Sequence, residues 1–473
     1  MATIKANIFW NVIRVTSNLL FPLITFPYAS RILGPTSIGL FNYSFSIASY
    51  FTLFATFGFP IYGTREVAVT KGKPELFNSS VNSIFSANLL TTLLATIVYA
   101  LTCSFFAGEN KALFLVVGCS IFLSTFAFEW FYQGIEDFKY LTVRGIIIKS
   151  ISILCLFLFV KSSKDLLIYA IITVAATCGN NLLNLFRLRK YIKLRITLEK
   201  IWHHTRKASI LFMGTVAISF YSYMNNILVG LFDNMEGVGF FSTGNRIVHI
   251  ALSIIGVVTV SIIPRISNLI QNKQKEEALY LQRQAISLLL YFGIPASIGL
   301  IILAKPVMLL FAGDKFLPAT IVLQILAALL FIIPLSSFWG HQVLIPHRKE
   351  KYGNYAVISG AVVNLVLVPL LVPRFSFAGV AISLLVAEFV VTLIHFVLGW
   401  KFADLNPIDF IPVKCIVSSV VMGIVVFVLF NVNQNPFVSI GWAAIGLLVY
   451  FITLWLLRDS FFKSMVLNKL LRR

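Results

Sequence analysis

The sequence has 473 residues, of which 58% are hydrophobic and 12% are charged, whereas an average soluble domain carries about 25% charged residues. This composition excludes a water-soluble globular protein. The formal net charge of +20 does not indicate nucleic-acid binding, because the basic residues are dispersed over many loops and do not gather on one surface.

Apolar stretches long enough to cross a bilayer follow one another along the chain. A hydrocarbon core roughly 30 Å thick needs about 20 apolar residues per helix. The predicted spans are 8–30, 38–60, 82–107, 112–134, 145–160, 166–186, 208–232, 238–263, 286–304, 317–340, 355–373, 378–400, 414–432 and 437–457. The predicted fold class is therefore an all-α integral membrane protein with about 14 transmembrane helices.

The distribution of Lys and Arg among the loops predicts the orientation of the chain. Loops rich in these residues stay on the cytoplasmic side of a membrane. When alternate connections are grouped with the two tails, one group holds 29 Lys and Arg and the other holds 7, with Arg14 and Arg246 left inside spans. Both termini are therefore expected to face the cytoplasm.

A basic segment from Arg187 to Lys207 divides the chain nearly in half, between predicted spans six and seven. We interpret it as a linker between two pseudosymmetric six-helix lobes. The predicted domains are an N-terminal lobe with this linker (1–207), a C-terminal lobe (208–400), and two extra C-terminal spans with a basic cytoplasmic tail (401–473).

An internal repeat supports the two lobes. IGLFNYSFSI begins at Ile38 and VGFFSTGNRI begins at Val238, an offset of 200 residues that Arg65 and Arg265 share. Because the offset covers an even number of spans, the two copies have the same orientation and form a parallel repeat. The pattern predicts a cavity between the lobes.

Motifs of catalytic and nucleotide-binding sites are missing from the sequence. GxxxxGK[ST], HExxH, paired CxxC and GxSxG do not occur, and the longest predicted outward connection, 305–316, leaves no room for an external catalytic domain. The sequence therefore predicts a protein that is not an enzyme and has no catalytic residue, cofactor or metal. Coupling of its activity to protons or sodium ions stays open.

Two acidic residues inside predicted spans are candidates for ion coupling. An ionisable group in hydrocarbon costs about 2.5–3.5 kcal/mol on insertion scales, so each one is a functional candidate. Glu388 lies near the centre of span twelve, and Thr392 and His395 follow it on one helical face that should point to the protein interior. Glu129 lies near the cytoplasmic end of span four, on one face with Gln133 and Glu136. A structural role, as a protonated carboxyl or an interfacial cluster, is the alternative for each.

Four arginines are candidates for substrate binding. Arg14 lies about six residues into span one, and Arg246 lies about eight residues into span eight, close to His249. Arg14 could instead extend to the membrane interface. Arg65 and Arg265 follow spans two and eight on the cytoplasmic side, where orientation alone would also place basic residues.

The C-terminal segment RDSFFKSMVLNKLLRR combines basic and apolar residues. Phe461, Phe462, Met465 and Val466 occur at helical spacing among Lys and Arg. This pattern is typical of an interfacial helix on anionic lipid. A solvated tail is the alternative.

Several motifs are spread along the chain. They are RILGP with Gly39, PIYGTRE (Pro60 to Glu66), FEWFYQGIE (Phe128 to Glu136), GFF with IPRIS (Ile263 to Ser267), QVLIPHRKEK (Gln342 to Lys351), Asn364, and GVAISLLVAE (Gly379 to Glu388). Together these motifs resemble the bacterial polysaccharide transporter family, which includes the O-antigen and capsule-unit flippases usually called Wzx, of the MATE/MOP-like superfamily. The resemblance covers nearly the whole chain.

The resemblance implies two lobes that open alternately to either side of the bacterial inner membrane. It implies that the substrate is an oligosaccharide linked through pyrophosphate to a polyprenol, and that the partners include membrane lipids and, further, a polysaccharide polymerase and glycosyltransferases. A diphosphate would need buried cations, which Arg14 and Arg246 could supply. The chain departs from relatives at Asn225, where an acidic residue is common, which puts proton coupling at that position in doubt.

Two other readings of the resemblance stay open. The first is a drug or cation exporter of the same superfamily, which would need an acidic cavity and is disfavoured by the two arginines. The second is a flippase for another lipid-linked precursor, of the lipid II or teichoic acid type. A membrane-embedded polymerase, an enzyme, would need a large external loop that this sequence lacks.

Overall fold

The computed structural model describes residues 4–260, 262–403, 412–459 and 461–463. Every regular element within these ranges is a helix, which confirms the predicted all-α class. Contacts between helices divide the chain into two compact units, Met1–Gly239 and Phe240–Arg473. This division lies beyond residue 207, because helix α8 (Ile201–Phe232) packs on helices of the first unit. The assignment of spans to lobes in the membrane stays a prediction.

The described residues of the first unit contain eight complete α-helices. They are α1 (Ile4–Thr56), α2 (Phe59–Thr70), α3 (Pro74–Phe106), α4 (Lys111–Leu123), α5 (Glu129–Gly134), α6 (Phe138–Phe159), α7 (Leu166–Leu188) and α8. Helix α1 is two helices joined at Gly34, whose φ of 78° and ψ of 173° leave the helical region. Glycine adopts this positive φ without the steric cost that a side chain would add.

Residues in and beside the sequence motifs PIYGTRE and FEWFYQGIE pack in a hydrophobic core cluster of the first unit. Phe59 and Tyr62 of α2 pack with Phe128, Phe131 and Tyr132 at and within α5, and all five are buried. Helix α5 has only six residues, so its place is set by this aromatic packing and not by its own helical propensity.

The two copies of the repeat that the sequence predicts approach each other closely inside the first unit, where α1 crosses the start of α9. A β-carbon added to Gly39 would lie 1.6 Å from the carbonyl oxygen of Met235, and one added to Gly239 would lie 2.1 Å from the carbonyl oxygen of Pro35. The two glycines and their two partners each stand 200 residues apart. Both positions therefore require a glycine, and the two copies of the repeat share this requirement at equivalent positions.

The second unit begins within α9 (Met235–Val260). Its described residues contain eight further α-helices and a π-helix (Phe338–Leu344). The α-helices are α10 (Ile263–Gln271), α11 (Lys275–Ile302), α12 (Ala304–Phe311), α13 (Thr320–Leu326), α14 (Leu329–Ser337), α15 (Glu350–Trp400), α16 (Val413–Val432) and α17 (Pro436–Leu456). Helix α15 is broken at Ser376, whose φ is 52° and ψ is −142°.

The last two helices form a hairpin on α11. Cys415 of α16 lies 3.3 Å from the hydroxyl of Tyr450 of α17, which donates a hydrogen bond to the carbonyl oxygen of Tyr291 at 2.9 Å. The buried carboxylate of Asp459 accepts from the Tyr291 hydroxyl at 2.7 Å and from the backbone N–H of Phe462 at 2.8 Å. The start of the predicted tail helix is thus fixed to α11. Met465 and Val466 lie outside the described residues.

Ten helices in the described ranges are long and apolar enough to cross a membrane, or eleven if the bent pair Asp314–Leu326 and Leu329–Leu344 counts as one span. Two of them, Ala6–Thr70 and Glu350–Trp400, have 65 and 51 residues and contain the breaks at Gly34 and Ser376. The chain is a multi-pass membrane protein. The predicted number of 14 spans is not confirmed by this count.

The fifth predicted span differs from the observed helix at its start. The sequence placed the span at 145–160, whereas α6 begins at Phe138. The Asp137 carboxylate accepts a hydrogen bond from the backbone N–H of Tyr140 at 3.3 Å and caps the helix about two turns earlier. Arg144 therefore belongs to this helix, together with Lys149, which already lies within the predicted bounds 145–160. The expectation that only Arg14 and Arg246 lie within spans is corrected.

Candidate functional site

A cluster of charged side chains lies among the helices of the first unit. We call Arg14 of α1, Glu129 of α5, and Arg144 and Lys149 of α6 the basic cluster. Glu129 is the first residue of α5, where a carboxylate interacts favourably with the helix N-terminus. The sequence predicted Arg14 and Glu129 as separate candidates, one for substrate and one for ions, and the structure brings them together.

Glu129 is shared by two arginines at different distances. Arg144 Nη2 lies 2.8 Å from Glu129 Oε1, whereas Arg14 Nη1 lies 4.0 Å from Glu129 Oε2. Arg144 also donates to the side chain of Asn184 and to the carbonyl oxygen of Asn180 at 3.2 Å, both on α7. Because the Arg144 side chain is only 4% exposed, this carboxylate and these amides replace the water that it loses.

Arg14 is held mainly by groups without charge. Its Nη2 donates to Asn11 Oδ1 at 3.0 Å, and its guanidinium carbon lies 5.9 Å from the centre of the Phe138 ring. The Nε atoms of Arg14 and Arg144 are buried and make no hydrogen bond within the described part of the chain. Both arginines therefore keep donors that an additional acceptor could use.

Lys149 lies at the middle of α6, about 16 Å along the axis from the first residue of that helix. Its ammonium donates to Asn18 of α1 and lies 5.9 Å from the centre of the Phe21 ring. Among the residues that the structure describes, no carboxylate lies within 4.0 Å of it. An ammonium at this depth is costly in an apolar medium.

The basic cluster carries more positive than negative charge. Three cationic side chains share one carboxylate in the described ranges, and that carboxylate is bonded closely to Arg144 alone. An anion that entered this region would replace unfavourable cation–cation interactions with charge-assisted hydrogen bonds. The arrangement can therefore hold a phosphate or carboxylate better than a cation.

Sequence reasoning missed Arg144 because it began the span at residue 145. It missed Lys149 because it counted this residue with the cytoplasmic loop, although Lys149 lies inside the predicted span 145–160. Asp137 was the available signal, since Asp is a preferred residue before the first turn of a helix. Gln133 is half-buried and Glu136 is exposed with a φ of 65° after α5 has ended, so neither extends the cluster.

The remaining predicted residues of the first unit lie apart from the basic cluster. Arg65 is exposed in the second turn of α2. The buried hydroxyl of Tyr62, one turn earlier, lies 2.7 Å from His204 Nδ1 and 3.3 Å from Glu66 Oε2. Burial lowers the pKa of His204 to about 4, although the Glu66 carboxylate opposes this shift. His204 is therefore neutral at pH 7.

The second unit holds the other candidates. Arg246 is half-buried in α9, and Arg265 is exposed in the first turn of α10, so it is not at the position equivalent to Arg65. Glu388 is half-buried in α15. Thr392 and His395 are buried, as predicted, and His395 Nδ1 lies 2.8 Å from the hydroxyl of Ser336. The roles of these residues in binding or coupling stay predictions.

Known proteins resemble this chain over most of its length. The family model described as "Polysaccharide biosynthesis protein" matches residues 4–270. A protein of Escherichia coli (strain K12) named "Putative O-antigen transporter" is 28% identical over 414 residues, which cover 82% of this chain and 95% of that protein. The capsular polysaccharide biosynthesis protein CapF of Staphylococcus aureus is 23% identical over 77% of this chain and 91% of its own length.

Solved structures share the fold. The lipid II flippase MurJ, in an inward closed conformation, has a TM-score of 0.80 at 18% identity and is covered in full by 98% of this chain. An inward-facing multidrug resistance MATE family transporter of the MOP superfamily has a TM-score of 0.65 at 16% identity, with 81% of this chain and 93% of that structure covered. At these identities the likeness establishes the fold alone. Because the family match covers more than half of the sequence, this chain belongs to the polysaccharide biosynthesis protein family.

Proposed function

We propose that the chain is a flippase that moves polyprenyl-pyrophosphate-linked oligosaccharide units from the cytoplasmic to the outer leaflet of the bacterial inner membrane by alternating access. The named function of the Escherichia coli relative, an O-antigen transporter, and the fold of a lipid II flippase support a lipid-linked saccharide as the substrate. Both termini face the cytoplasm in this proposal. Glycosyltransferases supply the substrate, and a polymerase consumes it.

The basic cluster carries the proposal. A pyrophosphate brings negative charge into a region where water is scarce, and buried cations offset its desolvation. Arg14 and Lys149 have neutral side chains as their nearest partners, and Arg14 keeps a free Nε donor among the described residues. Arg246 of the second unit contributes a further cation in this proposal, and proton or sodium coupling through Glu388 or Glu129 belongs to it as well.

Two other functions share the fold. A multidrug exporter is suggested by the MATE transporter, but a site for organic cations would need surplus carboxylates where this chain has surplus cations. A lipid II flippase carries the same pyrophosphate and differs in the sugar. The basic cluster favours either lipid-linked anion over a drug.

A charge series at Arg14 and Arg246 tests the proposal in cells that lack the native gene. Arg→Lys should keep part of the export activity, Arg→Gln should keep less, and Arg→Glu should keep least, because a phosphate site responds to charge and geometry. The readout is lipid-linked oligosaccharide retained on the cytoplasmic leaflet, with the membrane abundance of each variant measured in parallel.

Arg206→Glu is the matched control, because Arg206 is exposed near the start of α8 and outside the basic cluster. It should export normally. Full export by well-expressed Arg14→Glu and Arg246→Glu variants would contradict the proposed anion site.

A further inference from the structure

A groove lies between α1 and α6 in the first unit. Its volume is about 380 Å³, within the range of small-molecule sites. Leu20 and Ile24 of α1 face Ile146 and Ile153 of α6 across it, and almost all of its wall is apolar. Among the described residues that line the groove, Lys149 alone has a charged side chain.

Lys149 is an unusual residue for an apolar wall. A lysine that needs only to reach water could lie near a helix end, whereas this one lies at the middle of α6. Its partners are the amide of Asn18 and the ring of Phe21, both on α1. In the described ranges the carboxylate of Glu129 is bonded to Arg144 and lies more than 4.0 Å from Lys149. Within the described ranges, the ammonium in this groove therefore has no anionic partner within 4.0 Å.

The groove continues from the basic cluster. Asn11, Arg14, Asn18 and Phe21 follow one another at spacings of three, four and three residues, which places them on one face of α1 toward α6. Arg14 contacts Phe138 at the start of α6, and Phe21 contacts Lys149 at its middle. The cations therefore stand at successive depths along the same helix pair.

We propose that this groove binds the isoprene units nearest to the phosphate of a polyprenyl phosphate, with Lys149 contacting the phosphate. The inference rests on the proposed function and assigns a binding position to the lipid part of that substrate. A groove between two helices accommodates one chain, which fits a single-chain polyprenyl lipid better than a phospholipid with two acyl chains. The apolar wall contributes by burying the chain, and the ammonium contributes a charge-assisted hydrogen bond.

Native mass spectrometry of the purified full chain with a polyprenyl monophosphate tests the inference. Lys149→Gln should weaken binding about tenfold, because it removes a charged hydrogen-bond donor. Leu20→Trp should weaken it to a similar extent by filling the groove. Ile147→Trp is the matched control, since Ile147 and Leu20 are both 51% exposed but Ile147 is outside the groove wall. It should bind as the wild type does.

Two further ligands separate the contributions of head and chain. Uncharged polyprenol should bind to Leu20→Trp less tightly than to the wild type, and to Lys149→Gln as tightly as to the wild type. Phosphatidylglycerol in tenfold excess should displace little of the polyprenyl phosphate. Equal competition by phosphatidylglycerol would show an ordinary lipid position, and an equal loss in Ile147→Trp and Leu20→Trp would show a non-specific effect of tryptophan. Either result overturns the inference.

The melting temperature of each variant is measured in the same detergent, and a Leu20→Phe variant repeats the test if Leu20→Trp does not fold.

The inference and the proposed function can fail separately. Specific binding of polyprenyl phosphate without export in cells would contradict the function alone. Export in cells by both Lys149→Gln and Leu20→Trp, with unchanged lipid binding, would contradict the inference alone.

Discussion

Glu129 illustrates how unequal distances assign roles to individual residues. Its carboxylate lies 2.8 Å from Arg144 but 4.0 Å from Arg14. Its main electrostatic partner is therefore Arg144 of the neighbouring helix α6, whose side chain is only 4% exposed. The carboxylate itself is 45% exposed. Glu129 thus stabilises a buried arginine, and this structural role competes with the ion-coupling role that the sequence suggested.

A double substitution tests that structural role. Glu129→Gln leaves the Arg144 charge without its carboxylate and should lower the free energy of unfolding by about 1–3 kcal/mol. The full cost of breaking a buried pair is not expected, because Glu129 is partly exposed. Adding Arg144→Met to Glu129→Gln should restore most of the lost stability, since the uncompensated charge is removed.

Thermal unfolding of the two variants in detergent measures this difference. If the double variant is less stable than Glu129→Gln alone, then Arg144 contributes through its amide contacts on α7 and not through the carboxylate.

For individual residues, the sequence predicted which charged side chains are candidates for the site but not which side chains they contact. Arg14 and Glu129 were predicted because charged residues are rare in apolar stretches. Their proximity depends on how α1, α5 and α6 pack, and hydropathy contains no information on packing. The contribution of Asn11, Asn18 and Asn184 was also invisible, because an amide in a span has no charge to mark it.

The helices show which boundaries a hydropathy pattern can locate. The gap between predicted spans one and two, 31–37, contains the observed break at Gly34, and the gap between spans eleven and twelve contains the break at Ser376. Each break occupies so few residues that the flanking helices run on almost without a loop. The π-helix Phe338–Leu344 and the short α5 were not predictable, because side-chain packing and not periodicity determines them.

The packing of α2 on α5 predicts that a substitution at Gly63 lowers the stability of the protein. A β-carbon added to Gly63 would lie 2.5 Å from the Trp130 ring, so Gly63→Ala must displace a buried indole or the helix itself. We expect a loss of about 1–3 kcal/mol, which exceeds the gain of up to about 1 kcal/mol in helix propensity.

Gly145→Ala is the control for that substitution. Gly145 lies within α6, and a β-carbon there would meet no atom within 4 Å. The control should be neutral or slightly stabilising, because only the propensity changes. Thermal unfolding of the two alanine variants decides the matter, and equal stability of both would show that the aromatic core can move aside.

The sequence predicted the class and family of the whole molecule better than it predicted the contacts of single residues or the bounds of single helices. The all-α membrane class, the family and the repeat at an offset of 200 residues followed from composition and motifs. The repeat has a structural counterpart in Gly39 and Gly239, each of which lies against a backbone carbonyl oxygen of the other copy. Arg65 and Arg265 share the offset without sharing a helical position, because α9 extends four residues further than the corresponding part of α1 and shifts the next helix.

In the proposed function, this chain moves a lipid-linked anionic saccharide across a bilayer. The most direct measurement is translocation of a fluorescent polyprenyl-pyrophosphate oligosaccharide in proteoliposomes, followed by an impermeant quencher that reaches only the outer leaflet, with and without a proton gradient. Liposomes with the wild-type chain should redistribute the lipid well above the rate of protein-free liposomes, and Arg14→Glu should return the rate towards that background. Redistribution at the protein-free rate by a wild-type chain that remains folded, with and without the gradient, would contradict the proposed function.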